Sequence, residues 1–130
     1  MESLWPKLEK LAVNVPIRIL QDQVDLFNEQ MKGMLSCTLE REEIVNYNYD
    51  CEASMYISSP ALPDYRLQLV EVKFSVAKAY PCEVHNCVND RYPITGQKAN
   101  SADEFKEILK EIFNSQEVIN ALQNILAQGI

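Results

Sequence analysis

Asp64, Glu71 and Lys73 are the residues of this 130-residue sequence whose types and spacing come nearest to catalysis. Pro63-Asp64 precedes an apolar run that carries Glu71-Val72-Lys73, and two carboxylates with a nearby lysine can hold Mg²⁺ and steady an attacking water. If the run is a strand, Glu71 and Lys73 share a face, because side chains alternate. Asp64 is badly placed to join them. The six residues between Asp64 and Glu71 leave no room for a separate strand, and along one strand the two carboxylates lie about 23 Å apart, at about 3.3 Å per residue. A Glu-x-Lys pair on a solvated strand face is also an ordinary ion pair. A Mg²⁺-dependent hydrolase using Asp64, Glu71 and Lys73 is therefore the alternative reading.

Cys82-Glu83-Val84-His85-Asn86-Cys87 sets the one histidine between two thiols, a composition that suits zinc. Strand parity turns Cys82 away from His85 and Cys87, and a fourth ligand from Cys37 or Cys51 would still be needed. A Cys-His nucleophilic pair lacks an orienting group and an oxyanion donor. No metal and no cofactor is expected. The six tyrosines suit an interface, since each offers a large apolar area and a polar tip. Tyr47, Tyr49 and Tyr56 are the candidates, at alternating positions that equally suit a core. Strict alternation puts Tyr47 and Tyr49 inside with Cys51 and Met55, and leaves Tyr56 outside with Asn48, Asp50 and Glu52. Tyr56 is thus the better probe.

The elements that must position these groups follow from the hydrophobic period. Leu4, Leu8 and Leu11 suggest a short helical turn, and Pro16 then opens a helix capped by Asn14, with Ile17, Leu20, Val24, Phe27 and Met31 as its apolar stripe and Gly33 as its stop. Between Met34 and Val88 the pattern becomes β-branched, aromatic and alternating, with turn signals at Val45-Asn46, Ser58 to Asp64 and Ala77 to Ala79. Four strands are expected, the third presenting Val70, Val72, Phe74 and Val76 inward and Leu69, Glu71 and Lys73 outward. Pro60 and Pro63 keep the loop before it out of any ladder. A polar loop from Asn89 to Asn100 leads to Ser101-Ala102-Asp103-Glu104, which has capping-box form. Phe105, Ile108, Leu109, Ile112 and Phe113 stripe the helix it opens. Ser115 caps a last helix striped by Val118, Ile119, Leu122, Ile125 and Leu126. The order implies one α+β domain over residues 1–130: a two-layer sandwich, a four-stranded antiparallel meander sheet with an N-terminal helix and two C-terminal helices on one face.

Composition bounds the function. With 47% hydrophobic residues, 3 Gly and 6 Pro, the chain can bury a core and is neither disordered nor fibrous. Its net charge of −7 repels phosphate backbones and anionic lipid surfaces, so neither nucleic acid nor membrane is an expected partner. No apolar run approaches a membrane span, and Met1-Glu2-Ser3-Leu4-Trp5-Pro6 lacks the features of an export signal. A cytoplasmic location follows as an expectation, with Cys37, Cys51, Cys82 and Cys87 as reduced thiols.

Three stretches together resemble a family of short, uncharacterised bacterial proteins: Pro16-Ile17-Arg18-Ile19-Leu20-Gln21-Asp22-Gln23, Pro60-Ala61-Leu62-Pro63-Asp64-Tyr65-Arg66-Leu67-Gln68-Leu69 and Tyr80-Pro81-Cys82-Glu83-Val84. The resemblance spans most of the chain and implies the architecture above and a bacterial origin; it brings no activity. The order helix, four-strand meander, Tyr-Pro, helices is also similar to the ubiquitin-conjugating-like fold, whose cysteine motif has no counterpart here. Asp64 with Glu71-Val72-Lys73 looks like the Asp plus Glu-x-Lys signature of restriction-type nucleases, apart from the spacing. The expected function is a non-enzymatic protein-interaction or accessory module that binds a protein partner or a second copy through the exposed sheet face or its tyrosines. A small-ligand-binding module with a pocket between helices and sheet is a further alternative.

Overall fold

Pro16 has no N–H to lose and opens helix α1 (Pro16–Met31) at its first position. The computed structural model describes residues 1–9, 14–88 and 96–129. Asn14 is not the cap: Val15 holds that position without a side-chain hydrogen bond, and the Asn14 carbonyl instead accepts from the Tyr80 hydroxyl. The helix stops where Lys32 and Gly33 take φ of 49° and 86°, which glycine adopts without steric cost. Residues 1–9 are irregular, not the expected turn, and Leu4 and Leu8 are exposed. Pro6 limits any helix there, and so short a helix needs a surface to pack on. Leu11 lies outside the described residues, as does Tyr92.

The sheet has five strands, β1 (Ser36–Glu43), β2 (Cys51–Ser59), β3 (Leu62–Phe74), β4 (Cys82–Asn86) and β5 (Gln97–Ala99), in the order β1-β2-β3-β4-β5 with every pair antiparallel. The fifth strand corrects the expectation of four. Gln97-Lys98-Ala99 has no β-branched or aromatic residue to announce it; its pairing with β4, Cys82 against Ala99 and Val84 against Gln97, makes it a strand.

Three further differences come from irregular register and from where the strands end. The chain turns at Pro60-Ala61, Leu62 pairs with Ser59, and pairing resumes only at Ser58–Arg66, so Pro63, Asp64 and Tyr65 loop out within β3. A second shift, between Met55–Val70 and Tyr56–Gln68, leaves Leu69 as a bulge residue. Leu69 is therefore buried instead of facing outward with Glu71. Finally, β2 begins at Cys51 and β3 ends at Phe74, so the alternation assumed for Tyr47 and Val76 does not reach them and both are exposed.

Helices α2 (Ala102–Phe113) and α3 (Gln116–Ala127) start at side-chain caps: Ser101 Oγ accepts from the Glu104 N–H at 3.2 Å and Ser115 Oγ from the Val118 N–H at 3.4 Å. Ile19, Leu20 and Val24 of α1, Phe105, Leu109 and Ile112 of α2, and Val118 and Ile125 of α3 join Ala53, Met55, Ile57, Val70, Val72, Phe74, Cys82, Val84 and Ala99 in one core. Helix α1 packs on β1 and β2, and α2 on β4 and β5. The opposite face of the sheet is the polar one.

Candidate functional site

Alternation from the buried positions fixes which side chains line that outer face. On β1 they are Thr38, Glu40 and Glu42; on β2, Glu52, Ser54, Tyr56 and Ser58; on β3, Arg66, Gln68, Glu71 and Lys73; on β4, Glu83 and His85; on β5, Lys98. Five glutamates face three permanent cations among these residues. Lys73 lies 3.8 Å from Glu71 and stands opposite Glu52 on one side and Glu83 on the other. Glu42 is directly opposite Glu52, with no cation between them in the ladder. Partial burial, then the Glu71 charge and a hydrogen bond to Glu71, hold the Glu52 carboxyl above the usual range, while Lys73 opposes the shift.

The β1–β2 half of this face contains a built cation seat. Arg66 lies 3.9 Å from the centroid of the Tyr56 ring and 2.6 Å from Glu40 Oε1. An aromatic face and a carboxylate together give a guanidinium both quadrupole attraction and a charge-assisted hydrogen bond. Beside the seat is a depression of 390 Å³ lined by Glu40, Arg41, Glu42, Glu52, Ser54 and Tyr56. Its floor is fixed by Ser54, which is buried and accepts from Gln68 Nε2 at 3.1 Å.

The β4–β5 half is closed over. A Cβ at Gly96 would meet Glu83 Cγ, and would lie 2.7 Å from both Glu83 Oε1 and His85 Cε1. Only glycine fits at that approach. His85 Nε2 lies 3.7 Å from Glu83 Oε1, too long for a hydrogen bond, and has no such partner among the described residues.

The structure places the sequence-derived candidates unevenly. Tyr56 is half-buried at the centre of the outer face, Tyr49 is buried and Tyr47 is wholly exposed in the β1–β2 connection, so the three do not form one patch. Glu71 and Lys73 are neighbours, whereas Asp64 is exposed in the looped-out stretch at the far end of β3, seven residues away. At about 3.3 Å per residue that separation is far beyond a shared Mg²⁺, whose ligands sit about 2 Å from the ion. Cys82 is buried on the inner face while His85 is on the outer. Burial pushes the Cys37 and Cys82 thiols up to about 12, so neither is a nucleophile at neutral pH. Among the described residues no group of three or more His, Cys, Asp or Glu side chains is placed to hold a metal ion, and no helix is long and apolar enough to cross a membrane. Glu40, Glu42 and Arg66 were not foreseen as a site. Their meeting at Tyr56 depends on the β1–β2–β3 register, including the bulge at Leu69, which the sequence pattern does not encode. No protein-family model matches the chain, and comparison with curated proteins and with solved structures finds no match.

Proposed function

We propose that the chain is a non-enzymatic interaction module whose outer sheet face binds a basic segment of a protein partner. The observation that carries this reading is the Arg66 guanidinium held between the Tyr56 ring and Glu40: it is an internal example of the side chain the neighbouring depression is built to take. Glu42 and Glu52 face each other there, with Lys73 opposite Glu52 on its other side, and an arriving lysine or arginine would relieve the repulsion that remains between them. The chain's net charge of −7 speeds the encounter with a basic partner and repels nucleic acid. Tyr56 supplies the stiff aromatic area that interface centres favour.

The test is fluorescence anisotropy with labelled peptides of one length and three compositions, basic, neutral and acidic. Binding of the basic peptide alone is expected, weakened by salt. Tyr56→Ala should weaken it by about 2 kcal/mol, roughly 30-fold. Equal binding of all three peptides, or indifference to Tyr56→Ala, would overturn the reading.

Two other readings rest on less. Mg²⁺-dependent hydrolysis by Asp64, Glu71 and Lys73 retains only the Glu71–Lys73 contact. A small-ligand module would use the groove on the helical side, whose cavity of 220 Å³ is below the roughly 300–1,000 Å³ of drug-sized sites.

A further inference from the structure

The helical side of the sheet has an apolar groove that none of the described residues fills. It lies between α1 and the α2–α3 pair, is lined by Leu26, Phe27, Leu69, Phe113 and Leu122, and encloses 220 Å³. Leu26 at its lip is 56% exposed. The N-terminal arm has the complementary defect: Leu4, Trp5 and Leu8 are 91%, 81% and 81% exposed. Its polar contacts are local, the Trp5 N–H donating to Ser3 Oγ and Lys7 lying 3.9 Å from Glu9. Three large apolar side chains exposed within five residues of one segment mark a contact site.

We propose that two copies of the chain exchange arms, the Leu4-Trp5-Leu8 segment of each seating in the α1–α3 groove of the other with Trp5 as anchor. Size supports this occupant, since a cavity of about 150 Å³ lined by aliphatic and aromatic side chains accommodates benzene, and 220 Å³ takes an indole. Past Gln23 and Phe113 the groove continues into a second depression walled by Lys106 and Lys110, where Glu2 of the arm can meet a lysine, Glu9 being paired with Lys7 within the arm. Pro6 restrains the arm beside Trp5 and lowers the entropy lost on docking. Each chain offers one arm and one groove, so a two-fold exchange closes with both satisfied.

Trp5 is the single tryptophan, so intrinsic fluorescence reads the arm alone. As protein concentration rises, its emission should shift to the blue and acrylamide quenching should fall several-fold, in step with a monomer-to-dimer transition seen by light scattering. Leu26→Lys, at an exposed position, should be monomeric with a quenchable Trp5, and Trp5→Ala should be monomeric as well. Adding the tryptophan-free Trp5→Ala protein to Leu26→Lys should then restore a protected signal, because the first supplies an intact groove and the second an intact arm. Three results would each overturn the exchange: a monomer whose Trp5 is quenched at every concentration, protection independent of concentration (the arm on its own chain), or a dimer that survives both substitutions.

Discussion

Single residues on the outer face make opposed demands, and Glu52 shows how they balance. Its pKa is raised, so the folded chain holds this proton more tightly than the unfolded chain does. The associated stability is present below the ordinary glutamate value of 4.5 and is lost as pH rises through the higher folded value. Glu52→Gln removes the repulsion with Glu42 and Glu71 and should stabilise the protein at pH 7 by about 0.2–1 kcal/mol, an advantage that fades toward pH 4; urea denaturation of both proteins across that range checks the sign. Gly96 is constrained by space. Gly96→Ala forces a methyl against Glu83 and His85 and should destabilise by about 1–3 kcal/mol in the same assay. Neither effect could be read from the sequence, where Glu52 is one polar residue on a wet face and Gly96 an ordinary loop glycine. Tyr56 was legible, because alternation from Met55 suffices to put it outside.

At the scale of elements, the edge strand β1 is managed from both ends. Its outer half carries Glu40, Arg41, Glu42 and Glu43, charges that discourage pairing with another strand; an antiparallel copy centred on Arg41 would set Glu40 against Glu42. At its start, α1 stands in for a neighbouring strand. Asn28 Oδ1 accepts from the Cys37 N–H at 2.7 Å and Asn28 Nδ2 donates to the Cys37 carbonyl at 2.9 Å. Asn28→Ala leaves both backbone groups without these partners and should cost about 1–3 kcal/mol, with faster hydrogen exchange at Cys37 as its local sign. Helices α1, α2 and α3 and strand β2 were plain in the sequence, since Pro16, Ser101 and Ser115 punctuate long 3.6-residue periods and the residues from Cys51 to Ile57 alternate. The bulge at Leu69, the looped-out Pro63 to Tyr65 and the short β5 were not, because each arises from pairing between strands and not from any local propensity.

The whole molecule sorts its surfaces: helices cover one face of the sheet, acidic side chains line the other, and the seat at Tyr56 lies where β1, β2 and β3 meet. That division makes the location of binding the central claim. Its most direct test is an amide chemical-shift titration of the ¹⁵N-labelled protein with the basic peptide. The resonances expected to move belong to Thr38, Glu40, Glu42, Glu52, Ser54, Tyr56 and Arg66, while those of α1 and α3 stay in place. Shifts concentrated instead at Leu26, Phe27 and Leu122, or spread evenly over the chain, would contradict it.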